Sequence, residues 1–157
     1  MYDCGFTREN NWFRYRAAAI IIENDCVLFA GNEVEDYYYS IGGGVHHGET
    51  AEDAVIREVY EETGLRVRLL GERFPREEDF IRPLGIQKNR KVKQDGEMHM
   101  HIDIIYAAVP NDDNEVILNA EESDDIKWFS RNELENIKER IKNIQIETED
   151  IYIKEEL

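Results

Sequence analysis

The stretch Gly43-Gly44-Val45-His46-His47-Gly48-Glu49-Thr50-Ala51-Glu52-Asp53-Ala54-Val55-Ile56-Arg57-Glu58-Val59-Tyr60-Glu61-Glu62-Thr63-Gly64-Leu65 decides how this chain is read. It opens on glycines and then changes period. Ala51, Val55 and Val59 recur four apart, which predicts a helix over 51–63 with that stripe turned inward. Thr50 is the candidate N-cap, since its hydroxyl can accept from a first-turn N–H, and Gly64 stands where a left-handed residue ends a helix. With Val55 at the centre of the stripe and ~100° per residue, Glu58 and Glu62 fall within ~60° of it, and Glu61 lies ~60° beyond Glu58. Three acids therefore crowd one side at i, i+3 and i, i+4 spacings, where like charges cost an isolated helix roughly 0.2–0.5 kcal/mol per pair. A solvated face would interleave lysines. Carboxylates on the edge of a buried stripe need a counter-charge, and hard oxygen donors at this density suit Mg²⁺ or Mn²⁺. The plainer alternative is an acid-rich helix in an acid-rich protein.

Outward from this helix the pattern is mostly strand. Phe13 to Ile22 is aromatic and β-branched, breaks at Glu23-Asn24-Asp25 and resumes at Cys26 to Ala30, which reads as a hairpin. Tyr37 to Ile41 reads as a short strand ended by Gly42-Gly43-Gly44. After the helix, Leu65, Val67 and Leu69 alternate with arginines, and His101 to Val109 is a more continuously apolar strand. Between them, Pro75 to Gly96 is polar and reads as a loop carrying the basic cluster Lys88, Arg90, Lys91 and Lys93. Ile126 to Ser130 is a short strand, and Arg131 to Ile144 returns to helical spacing. No repeat or linker divides the chain, so residues 1–157 are expected to form a single domain, with 146–157 a peripheral acidic tail. The expected class is α+β.

Composition limits the chemistry. Of 157 residues, 41% are hydrophobic and 34% charged, enough apolar surface for one soluble core. Asp and Glu number 35 against 19 Lys and Arg, a formal net charge of −16. Such a field repels phosphate backbones and argues against any long nucleic acid as partner. A phosphate substrate would need a cation to screen it. No apolar run reaches the ~20 residues of a membrane span, so no membrane partner and a cytoplasmic location are expected. Cys4 and Cys26 are too few for a disulfide framework or a zinc site.

The spacing inside the opening stretch is itself specific. Gly43 is followed after five residues by Glu49, after seven more by Arg57-Glu58-Val59-Tyr60-Glu61-Glu62, and then by Thr63-Gly64-Leu65. This resembles the Nudix box and meets all its specified positions. The resemblance implies the Nudix fold, a mixed β-sheet sandwiched between α-helices, and metal-dependent hydrolysis of a pyrophosphate bond in a small nucleoside diphosphate derivative. Nucleoside triphosphates, ADP-ribose, nucleotide sugars and dinucleoside polyphosphates all stay open as substrates. It further implies Mg²⁺, or Mn²⁺ in its place, held by Glu58 and Glu62, with Glu61 as a third carboxylate and the Gly42 carbonyl completing the set. Gly43 and Gly64 would serve backbone geometry, and Glu49 with Arg57 would support the loop as an ion pair. Glu58 is the first candidate for general base. Glu61, Glu122 and Glu97 are the others, Glu122 being equally well read as one acid among Glu121, Glu122, Asp124 and Asp125.

Substrate contacts are expected from Arg14 and Arg16, on one face of the first long strand, and from Tyr39 within Tyr37 to Tyr39; ion-pair and packing roles are the alternatives. His46 stands where many relatives carry a glutamate, and Ile41 where many carry a proline before the glycines. His99 with His101 reads as polar surface on a strand edge. Two other readings compete. One is a non-catalytic domain that senses a nucleotide or binds protein, though such domains usually lose box carboxylates. The other is an enzyme like the isopentenyl diphosphate isomerases, whose active-site cysteine neither Cys4 nor Cys26 convincingly supplies. A homodimer is left open.

Overall fold

The computed structural model describes residues 3–32, 36–73, 80–92, 98–111, 116 and 125–141, with the backbone alone for 32, 90–92 and 98. The described chain forms nine strands in one mixed sheet and two α-helices. In chain order the strands are β1 (Gly5–Arg8), β2 (Asn11–Glu23), β3 (Cys26–Asn32), β4 (Tyr37–Tyr39), β5 (Ile41–Gly44), β6 (Val67–Leu70), β7 (Gly85–Val92), β8 (Met98–Pro110) and β9 (Asp125–Ser130). Helix α1 (Ala51–Thr63) follows β5, and α2 (Arg131–Ile137) follows β9.

β2 is the spine of the sheet. One of its edges runs parallel to β8 from Trp12↔His99 to Ile21↔Ala108. The other edge is shared in turn by β1, β5 and β3, all antiparallel. β7 and β6 divide the far edge of β8 in the same way. Because strand side chains alternate, β2 feeds two cores. Ala17, Ala19 and Ile21 join Val55 and Val59 of α1 on one face, while Ile20 and Ile22 join Phe29, Phe129, Leu134 and Ile137 on the other. The helices thus cover opposite faces, the expected sandwich.

α1 occupies the expected span. Thr50 and Asp53 form a capping box, each side chain taking the other's backbone N–H at 3.1 Å, and Gly64 ends the helix at φ 73°. Other expectations shift. Tyr37 to Ile41 is two strands: β4 pairs with β3, and β5 pairs with β2 and takes the glycines into the sheet. The Pro75 to Gly96 loop contains β7, an edge strand whose exposed Ile86 and Lys88 hide the usual alternation. β1 also escapes the sequence pattern, since its hairpin turns on Glu9 and Asn10, both at positive φ, without a glycine. The helix expected to reach Ile144 ends at Ile137; one 3-10 turn, Lys138–Arg140, follows, and Ile141 bridges to Tyr38. β8 has neighbours on both sides, so His101 is buried rather than an edge residue. Among the described residues no helix is long and apolar enough to cross a membrane, and Cys4 and Cys26 form no disulfide.

Candidate active site

The glycine strand and the acid helix meet through their polar groups. β5 presents to α1 an edge whose Gly42 N–H donates to Glu62 Oε1 at 3.2 Å and whose Gly44 carbonyl accepts from Arg57 Nη2 at 2.9 Å. Glu62 is 5% exposed, and that hydrogen bond gives its buried carboxylate a partner. A Cβ on Gly43 would fall 2.3–2.5 Å from the three terminal atoms of Glu58, so the carboxylate fills the room that the missing side chain leaves. At Gly42 a Cβ would instead strike backbone, 2.2 Å from the Ala17 carbonyl oxygen. Both glycines are required by close approach.

Arg57 organises the acids. Its Nε and Nη2 clamp both Glu49 oxygens at 2.6 and 3.1 Å, Nη1 reaches Glu58 Oε1 at 2.8 Å and Glu61 Oε2 at 3.0 Å, and Nη2 also holds Gly44. All five guanidinium N–H groups are used, which lysine could not reproduce. Glu49 also accepts the His46 N–H at 2.9 Å, closing the turn before the helix. The Arg57 hydrogen bonds, aided by that N–H and opposed by burial, hold the Glu49 carboxylate down to about 2 from its ordinary 4.5. A depressed folded-state pKa stabilises above the unfolded value and is lost as pH falls toward the folded one. Acid unfolding should therefore remove about 1–2 kcal/mol between pH 4.5 and 2 after solvent screening. Urea unfolding across that window checks this, and Arg57→Gln should flatten it.

One guanidinium faces Glu49, Glu58 and Glu61, with Glu62 alongside, so the site keeps an excess of negative charge. Carboxylate oxygens and the Gly42 carbonyl are hard donors, and a hard divalent cation fits both that charge and that set. Among the described residues no three His, Cys, Asp or Glu side chains are already gathered on one point. Arg57 draws Glu58 and Glu61 to itself while Glu62 turns to Gly42. Glu61 is the open member, with its side chain 53% exposed.

Arg14 and Arg16 share a face of β2, opposite α1. Arg14 Nε pairs with Asp3 at 2.6 Å, beside Gly44. Arg16 Nη2 donates to the Gly42 carbonyl at 3.1 Å, and Nη1 lies 3.4 Å from Asp103. Both arginines thus reach the glycine strand. His46 sits between Asp3 and Glu49 at 3.5 and 3.8 Å, and Cys4 Sγ lies 3.8 Å from His47 Nδ1. Tyr39 is half-buried, tilted against Tyr37 and packed on the α1-side core. Lys88 is exposed on β7. Glu122, Glu97, Lys93, the tail 146–157 and the side chains of Arg90 and Lys91 lie outside the described residues. Sequence reading passed over Asp3, Asn89 and Asp103. For Asp103 a signal existed: it is the single acid inside the apolar run His101 to Val109, and such a residue must find partners when buried.

Comparison with known proteins gives a family and a fold. The family model described as the NUDIX domain matches residues 12–148. Among solved structures, a hydrolase of the NUDIX family from Clostridium perfringens is 25% identical with a TM-score of 0.67, covering 91% of this chain and 94% of that one. A MutT NUDIX hydrolase from Burkholderia pseudomallei is 20% identical, TM-score 0.57, over 92% and 96% of the two chains. The E. coli ORF135 protein is 18% identical, TM-score 0.55, over 91% and 86%; these last two speak for the fold alone. No curated protein matches in sequence.

Proposed function

The chain belongs to the Nudix hydrolase family, and from that premise we propose that it hydrolyses a pyrophosphate bond in a small nucleoside diphosphate derivative, with Mg²⁺ or Mn²⁺ as cofactor. The observation that carries the reading is the excess of carboxylate around Arg57 next to a carbonyl-bearing glycine strand. Glu58, Glu62 and the Gly42 carbonyl are the residues that would hold the cation, with Glu61 at its margin. Bound there, a divalent ion neutralises phosphate charge and makes water more acidic.

The chain's own groups do the rest. Glu58 accepts the proton of the attacking water as its oxygen bonds to phosphorus and the bridging P–O bond breaks, the electron pair leaving with the departing phosphate. Arg57 holds one Glu58 oxygen, so the carboxylate is aimed before substrate arrives. Arg14 and Arg16 meet non-bridging phosphate oxygens from the opposite face. Tyr39 offers its ring to the nucleobase, and Glu122 is the alternative to Glu58 as general base. Residues 1–157 act as one domain, in the cytoplasm, as a monomer or a homodimer.

The test is a substrate panel of nucleoside triphosphates, ADP-ribose, nucleotide sugars and dinucleoside polyphosphates at slightly alkaline pH with Mg²⁺, with both products identified. One preferred compound cleaved at a single phosphorus is the expected result. Tight nucleotide binding without turnover of any member would return the chain to the non-catalytic reading.

A further inference from the structure

Asp103 is the most buried acid among the described residues, 2% exposed in the apolar run of β8. Its oxygens are held from two sides. Oδ1 faces Arg16 Nη1 at 3.4 Å, and Oδ2 accepts the side-chain amide of Asn89. The other arm of Arg16 donates to the Gly42 carbonyl at 3.1 Å. Asn89 belongs to β7, Asp103 to β8, Arg16 to β2 and Gly42 to β5, which lie side by side in the sheet, and Arg16 and Asp103 are direct register partners. A polar line therefore crosses four strands, from the outer edge of the sheet to the glycine strand.

We propose that Asp103 and Asn89 are positioning residues: they hold the Arg16 guanidinium against the Gly42 carbonyl, so that edge strand β7 fixes where a phosphate-binding cation stands. The proposal rests on the reading that Gly42 and Arg16 belong to a pyrophosphate site. Two physical arguments support it. A buried ion pair rarely repays its desolvation in stability, and burial indeed pushes the Asp103 carboxyl up against the pull of Arg16 and Asn89, so placement is the better explanation of its presence. Asp103 also balances the charge of Arg16. Arg16 can then turn the N–H groups that these two bonds leave over toward phosphate oxygens, without adding an uncompensated positive charge next to a carbonyl that would hold a divalent ion.

The test uses the full chain with Asp103→Asn, Asn89→Ala, Arg16→Ala and the Asp103→Asn/Arg16→Ala double variant. Nitrogen-15 NMR of the Arg16 guanidinium, without substrate, should show restricted rotation in the wild type and averaged signals in Asp103→Asn and Asn89→Ala. With the preferred substrate, Asp103→Asn should raise KM roughly tenfold, as expected for a lost hydrogen bond to a charged group, with kcat changing less. In the Arg16→Ala background the same change should have no further effect, since the two residues act as one unit. A merely structural Asp103 would give additive losses or a lowered Tm with KM unchanged, and either result overturns the proposal. Unchanged Arg16 signals in Asp103→Asn overturn it as well. Because that measurement needs no turnover, a wild type that cleaves nothing sinks the activity alone.

Discussion

Glu58→Gln is expected to lower kcat by about 10²–10⁴-fold, the usual contribution of a positioned general base. The fold should survive. The Glu58 side chain is 15% exposed and gives up one bond to Arg57, while the helix loses one of its crowded negative charges. Product release and circular dichroism on the same preparation decide it; near-normal turnover in a folded variant would remove Glu58 from the reaction. Gly43→Ala approaches the same group from the other side. Its methyl would displace the Glu58 carboxylate, the mobile end of a long side chain. Turnover should fall by about 10²-fold through misplacement, with the carboxylate retained.

Chelation is the second large effect. EDTA should abolish turnover, and Mg²⁺ or Mn²⁺ should restore it, because one guanidinium, Arg57, is shared among Glu49, Glu58 and Glu61, with Glu62 alongside. A measurement without substrate reads the same site. At one hundred times Kd, a ligand that binds only the folded state stabilises it by ~2.7 kcal/mol, which for a chain of this size is a Tm rise of roughly 5–11 °C. Glu62→Gln should shrink that rise. If Tm ignores the ion and activity survives EDTA, the cation assignment fails.

What the sequence made legible follows from what each residue has to satisfy. α1 announces itself because its stripe, its cap and its terminal glycine agree, and the structure places all three where the pattern puts them. The carboxylates were visible for the opposite reason: Glu58 and Glu62 break the rule that a buried edge avoids like charges. β7 was hidden, since an edge strand with Ile86 exposed on one face and polar Gln87 and Asn89 partly buried on the other carries no apolar alternation. The glycines misled in another way. Their run suggests a loop, yet in β5 their lack of side chains is what lets the strand lie against Ala17 and Glu58. Asp103 was lost among isoleucines, because its partners come from β2 and β7 and no local pattern links them.

The parallel pairing of β2 with β8 also governs how the molecule comes into being. Its register joins Trp12 to His99 and Ile21 to Ala108, so the middle of the sheet closes only after most of the chain exists. Until then Ala17 to Ile22, the most apolar stretch of β2, has one unpaired edge, the template on which strands of separate chains associate. Such long-range closure slows folding and lengthens that exposure. Fragments ending before Met98 would keep α1 with Glu58, Glu61 and Glu62, and should be recovered as aggregates rather than as small working enzymes.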